Sequence, residues 1–442
     1  MKHRAVPVLS IILPAALLLL SCATDYTSSM RSVTRDLRLD RPELALESYR
    51  ETFTDSTGKN RLLYLMELGN LNRLTGNFER AIGLLLQADR LSDMQRGVNV
   101  GQQVGSFLTS DLALEFRGAD YEKVFINYCL AASYASRDNM MDALVECRRV
   151  NDKLRAMNLQ YEDQPNRYSD DAFIRYLMGV LYEKAGDYNN ALIAYRNSAR
   201  VYDSSYVRDY GISTPSRVKA DILRLAHRLN MNSVFQNYSR QWPGTDWEGL
   251  GPSGGNGEVV VILEAGVIPP KVETKQTFLV DDRLYSIALP AMPDRSRESY
   301  SVRISSDGLS SAGFLAEDVT DIARKNLEDH AGRDVARAVA RLAVKAGVSE
   351  AGEEIMEELT HENSTVSQLT GFFISLFGAA TEQADLRAWL TLPSQIYVAR
   401  LALPEGISPV EVTVNGRSVY SDPAMSIQSG EIQLLFLRDG GK

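Results

Sequence analysis

The sequence is short of cysteine and histidine, has no surplus of positive charge, and contains no apolar run long enough to cross a bilayer. Each shortage closes a class of function. Three cysteines cannot build a disulfide framework, and Cys129 and Cys147 lack the paired spacing of a zinc site. They read as core thiols, with a single bridge between them as the alternative in an oxidising compartment. His227, His330 and His361 each stand on a polar helical stretch with no second ligand at helical spacing, and Glu353, Glu354, Glu357 and Glu358 read as a solvated acidic helix face. No metal and no cofactor are expected. A net charge of −9 argues against nucleic acid, whose binders need lysine and arginine in excess over one face.

What is present begins at the N-terminus. Lys2 and Arg4 precede an apolar stretch from Ala5 to Leu20, which is too short for a transmembrane helix and ends in Leu19-Leu20-Ser21-Cys22. This resembles a bacterial lipoprotein signal: residues 1–21 are expected to be removed and Cys22 to be lipidated. Several acyl chains at about 0.8 kcal/mol per buried CH2 make a lasting anchor. In the resembling Gram-negative lipoproteins an aspartate after the cysteine retains the protein in the inner membrane. Ala23 therefore points to the outer membrane, on the periplasmic side. An ordinary signal peptide or a membrane stub is the alternative. Residues 22–40 are polar and read as the lipidated end and a flexible tether.

From Arg41 to Trp242 the apolar residues follow a helical repeat. One unit has Leu65, Leu68 and Gly69, then Gly76, Phe78, Ala81, Leu85 and Ala88. A second has Leu130, Ala131 and Tyr134, then Ala143, Cys147 and Val150. The third has Met178, Gly179 and Tyr182, the turn Gly186-Asp187-Tyr188, then Ala191 and Tyr195. These are tetratricopeptide-like positions, with small residues where helices cross and large ones beside them. An insertion from Ser92 to about Tyr121 is a candidate to fill the concave face, and helices at 216–229 and 232–240 would close the array.

Residues 243–257 are a linker by composition, rich in glycine and proline. From 258 to 442 the period becomes that of strands, interrupted by helical character at about 315–388. The expected fold is multidomain α + β, a tetratricopeptide-like α-solenoid followed by a β-sandwich-like domain that carries a helical hairpin.

Motifs that look chemical have plainer readings. Gly251-Pro252-Ser253-Gly254-Gly255 fits the G-x-S-x-G pattern of serine hydrolases, but a polar loop stands where that chemistry needs a strand. Arg333, Arg337, Arg341 and Lys345 recur every four residues and form a ridge, because each step turns only about 40° from the last. A hairpin with a solvated basic side is the plainer reading of the ridge; the sharper one makes it a contact for an acidic protein or polymer. Val366 to Ala380, with Leu369, Phe372, Phe373, Leu376 and Phe377, offers an apolar stripe for hairpin packing or a membrane surface.

Three further stretches carry a resemblance over most of the mature chain: residues 119–124, residues 143–151, and residues 384–393 around Trp389. They resemble a family of bacterial tetratricopeptide-type outer-membrane lipoproteins, and the resemblance brings no activity with it. On the residues themselves, Tyr121 and Glu122 precede a helix and Glu146, Arg148 and Arg149 crowd the next. They are candidates for partner binding on the concave side, or for a network that pins the insertion. The expected function is that of a non-enzymatic, lipid-anchored periplasmic adaptor with protein partners, without nucleic acid or small-molecule substrate. An enzyme acting on envelope polymers and a structural part of an envelope machine are the alternatives.

Overall fold

The computed structural model describes residues 26–54, 57–160 except 97–113, 166–280, 283–293, 297–331 and 384–441. Cys22, the ridge Arg333, Arg337, Arg341 and Lys345, the acidic run Glu353 to Glu358, His361 and the stripe Val366 to Ala380 lie outside the described residues.

Ten helices form five antiparallel pairs: α1 (Arg31–Arg38) with α2 (Pro42–Thr52), α3 (Arg61–Leu74) with α4 (Phe78–Arg96), α5 (Asp120–Ala135) with α6 (Met140–Gln160), α7 (Ala172–Lys184) with α8 (Tyr188–Val201), and α9 (Ser216–Arg228) with α10 (Asn232–Gln241). Every pair turns the same way. Asp40, Gly76, Asp138, Gly186 and Asn230 each take a positive φ of 52–78°. The following residue donates its N–H back over a six-residue span, Arg41 to Asp36, Asn77 to Asn72, Asn139 to Tyr134, Asp187 to Tyr182 and Met231 to Ala226, at 2.8–3.0 Å. This is the Schellman arrangement, which satisfies carbonyls orphaned at a helix end. Between paired helices, Gly69 and Gly179 allow close approach: a Cβ at Gly179 would stand 2.3 Å from the Tyr195 ring, and one at Gly69 2.8 Å from Leu85.

The first pair corrects the expected tether. Residues 26–38 are helical, and Met30, Val33 and Leu37 are fully buried. Their spacing of three and four puts them on one helix face, a signal diluted by the serines, threonines and arginines around them.

The strands build two four-stranded sheets. In the first, β1 (Asn256–Ala265) lies between the parallel C-terminal strand β10 (Ile432–Asp439) and the antiparallel β7 (Gln395–Pro404), with β6 (Phe314–Asp318) at the edge. The second has the order β5 (Leu309–Ala312), β4 (Val302–Ser306), β8 (Gly406–Val414), β9 (Arg417–Ile427). A ribbon of β2 (Val272–Val280) and β3 (Arg283–Ala291) pairs with neither sheet. Because side chains alternate across a strand, β1 and β7 serve two cores. Val259, Val261, Leu263, Tyr397, Ala399 and Leu401 share a core with Val302, Ile304, Val410 and Val412 of the second sheet. Val260, Ile262, Ile396 and Val398 join the core of the helices. Helices, first sheet and second sheet are therefore three successive layers.

Two expected boundaries shift. The interruption of the strand region opens with β6, and helix α11 follows at 319–331 before the undescribed stretch. The glycine-rich connection is packed, not free. Gly251 (φ 81°) and Pro252 are buried, and a Cβ at Gly251 would stand 2.5 Å from the Arg224 guanidinium. Ser253 is exposed on that loop with no strand before it, so it lacks the hydrolase elbow.

Candidate functional site

In arrays of helix pairs the face lined by the first helices is the natural binding surface, and here the chain occupies it itself. At the N-terminal side, α3 and α5 hold the segment 388–392. Glu122 accepts the Trp389 N–H at 2.7 Å. The two oxygens of Glu67 accept the Leu390 and Thr391 N–H groups at 2.7 and 3.1 Å. Asn70 donates to the Thr391 carbonyl at 2.9 Å, and the Trp389 indole donates to the Thr391 hydroxyl at 2.9 Å. Trp389, Leu390, Thr391 and Leu392 are all buried. Tyr26 adds a hydroxyl bond to Glu67 at 2.9 Å. Burial outweighs these bonds and lifts the Glu67 carboxyl to about 7.

Further along, Glu264 of β1 reaches the helices, accepting from Arg73 at 2.7 Å and from the Tyr128 hydroxyl at 2.8 Å. Cys129 lies beside this cluster with its sulfur 3.6 Å from Asn70 Oδ1. Burial pushes its thiol up to about 12, and both it and Cys147 are free and buried, so the bridge considered between them is not formed.

The third contact is ionic. Arg400 of β7 has no solvent exposure and donates to Tyr176, Tyr195 and Asp221 at 3.2, 2.9 and 3.0 Å, to Glu183 at 3.2 Å, and to Glu258. Arg224 bonds Glu183 and Asp221 at 2.6 and 2.9 Å, while Arg217 bonds Asp221 at 3.2 Å and also reaches Glu258. Three guanidinium groups thus balance three carboxylates. Burial alone would raise Asp221, but Arg217, Arg400 and Arg224 outweigh it and hold the carboxyl well below its usual range. At the far edge Tyr206 donates to both oxygens of Glu317 at 3.0 and 3.1 Å, and Tyr202 to the Ala316 carbonyl at 2.8 Å. Burial, with Asp171 nearby, raises Glu317 strongly.

These carboxylates serve the chain's own donors and are shut from solvent. Their chemistry is adhesion between layers. Among the described residues no cluster of histidine, cysteine, aspartate and glutamate is arranged to hold a metal, and no helix is long and apolar enough to cross a membrane. A hollow of about 460 Å³ lies away from this interface, lined by Glu43, Leu46, Glu47, Arg50, Glu51 and Thr75. His330 is bonded to Asp120 at 3.1 Å, and His227 packs on Phe235 and Trp247 with centroids 5.8 and 5.0 Å away.

The structure divides the residues proposed for partner binding. Tyr121 and Glu122 are buried, 2% and 0% exposed, so the concave-side contact expected of them is corrected: Glu122 already carries Trp389. Glu146 is also buried, bonded to Asn127 at 2.6 Å and to Arg149 at 3.7 Å. Arg149 and Lys153 both pair with Asp89 of α4. The network therefore pins α6 to α4, because Glu146 and Arg149 sit on a second helix and face its neighbour. Arg148 is exposed, 3.3 Å from the Tyr182 hydroxyl. Arg400, Glu67 and Glu264 went unrecognised in the sequence. A signal was there: Glu258, Glu264 and Arg400 interrupt otherwise apolar strands, and a charge in a buried run requires a partner.

No family model matches the chain, and no curated protein does. Among solved structures it is similar to MamA (14% identity, 47% of this chain and 90% of that chain, TM-score 0.29). It is also similar to a putative kinesin light chain of Podosopora anserina with nearly identical TPR-like repeats (11% identity, 49% and 92%, TM-score 0.33). A third is a Rap protein complexed with Competence and Sporulation Factor (12% identity, 52% and 56%, TM-score 0.32). The chain's own five pairs of like-turned helices make its helical part a tetratricopeptide-like array of helix pairs. The inner face of that array is covered by the chain's own sheets.

Proposed function

We propose that this protein is a lipid-anchored, non-enzymatic scaffold of the bacterial outer membrane, facing the periplasm and belonging with the lipoproteins its sequence resembles. The paired sheets are read as a β-sandwich that braces the helical array. The observation that carries the reading is Leu19-Leu20-Ser21-Cys22 placed directly before a body that is folded from Tyr26 onward. The filled inner face moves protein contact to the outer helices. There α6 and α8 expose Met141 (80%), Val145 (42%) and Ile193 (52%) beside Arg148. The basic ridge Arg333, Arg337, Arg341 and Lys345 is a second candidate contact.

The test is crosslinking in intact cells followed by purification. Envelope proteins recovered with the native chain and lost with Val145→Asp support the scaffold. The same partners recovered at full yield with Val145→Asp and with the ridge neutralised contradict both surfaces. Turnover of a purified cell-wall polymer by the native protein would instead make it an enzyme.

A further inference from the structure

The chain between lipid and body is short, and this fixes which side of the molecule meets the membrane. Resting on the lipid-anchor reading above, we propose that the rim of the helical array carrying Tyr26 faces the bilayer, with the five Schellman turns directed away from it.

Tyr26 belongs to the fold. Its ring lies 5.5 Å from Phe53 and its hydroxyl bonds Glu67. Four residue steps separate it from Cys22, and an extended chain covers at most about 14 Å in that length. The acylated sulfur therefore stays near the rim from which Tyr26 emerges.

The helix order identifies that rim. From Tyr26 the chain runs along α1 to Asp40, turns, and returns along α2 to Phe53, so Tyr26 and the start of α3 share one side. By alternation, α5, α7 and α9 also start there. The contacts agree: Phe116 donates to the Lys59 carbonyl at 2.7 Å, and Arg387 bridges Asn60 and the Leu114 carbonyl at 2.8 and 3.1 Å. Arg167 and Asp329 meet at 2.7 Å, beside the bond between His330 and Asp120. The base of the β2–β3 ribbon is fixed there too, by Lys271 on the Arg387 carbonyl at 3.1 Å and by Glu273 on the Ala384 N–H at 3.2 Å. The long connections, from α4 to α5 and from α11 to residue 384, leave from this side as well. The opposite rim carries, among the described residues, the five tight turns, with Gly440 on Asp40, Lys184 on the Ile432 carbonyl and Arg228 on the Pro252 carbonyl.

Helix α6 supplies a ruler. Met141 and Leu159 stand at its two ends, 80% and 62% exposed, and at 1.5 Å per residue they are about 27 Å apart. Cys129 and Cys147 are buried and Cys22 is consumed by the lipid, so a thiol-reactive fluorophore goes to an introduced cysteine. The full lipidated protein, as Leu159→Cys or Met141→Cys, is labelled and reconstituted into phosphatidylethanolamine and phosphatidylglycerol vesicles with brominated acyl chains. Mass spectrometry of the N-terminal peptide establishes acylation. The expected result is loss of fluorescence at position 159 and none at position 141. Equal quenching, stronger quenching at 141, or none at either position in an acylated chain overturns the orientation and leaves the anchor standing. An N-terminal peptide without acyl mass overturns the anchor and the orientation together.

Discussion

Arg400 stands in a strand of aliphatic residues, opposite Val260 in register, and is sealed from solvent by Tyr176 and Tyr195. Removing it leaves Glu183, Asp221 and Glu258 facing only Arg217 and Arg224. Breaking a buried ionic network from one side costs about 3–5 kcal/mol. Arg400→Ala is expected to lose that much in urea unfolding, and a loss within experimental error of zero would show the cluster to be solvated. Glu67 makes a different prediction. Its carboxyl titrates near 7 in the folded chain and near 4.3 when unfolded. Between those values the folded chain holds more protons, so this group's contribution falls as pH rises through about 7. Glu317 and Asp171, both raised by burial, act in the same direction. The melting temperature is expected to be lower at about pH 8 than at about pH 5.5. Glu67→Gln, which cannot ionise, should shrink that difference.

At the scale of elements, the five turns separate conformational cost from steric cost. A Cβ at Gly186 would meet nothing within 4 Å, but φ there is 78°. Gly186→Val is therefore expected to lose about 1–2 kcal/mol of stability through left-handed backbone strain alone, as read from the denaturant midpoint. A midpoint equal to that of the native chain would mean the turn tolerates another geometry. Much at this scale was legible in the sequence. Gly69, Gly179 and Gly186 mark real crossings and a real turn, and the change of period near residue 258 falls within two residues of the start of β1. Helix α1 was not legible, because Met30, Val33 and Leu37 lie among polar residues and the turn after it uses Asp40 instead of glycine. The boundary at β6 was hidden too, since five residues are too few to show a period before α11 begins. Pairing of β10 beside β1, 167 residues or more away in sequence, has no local signal at all.

For the whole molecule, the consequence is that helices and sheets share a core, and neither part is an independent domain beside a linker. The residues that fill the inner face, Trp389 to Leu392, come from the far end of the chain, which is why no reading of the repeats alone could place them. An array whose groove is already filled presents its outer helices to other molecules. That filled groove is the claim on which the functional reading turns, and native-state hydrogen exchange tests it most directly. The amides of Trp389, Leu390 and Thr391, bonded to Glu122 and Glu67, are predicted to exchange only when the whole chain unfolds, at the same free energy as the buried amides of α7. Rapid exchange of those three under conditions that leave α7 protected would show a segment free to leave the groove, and would contradict the account.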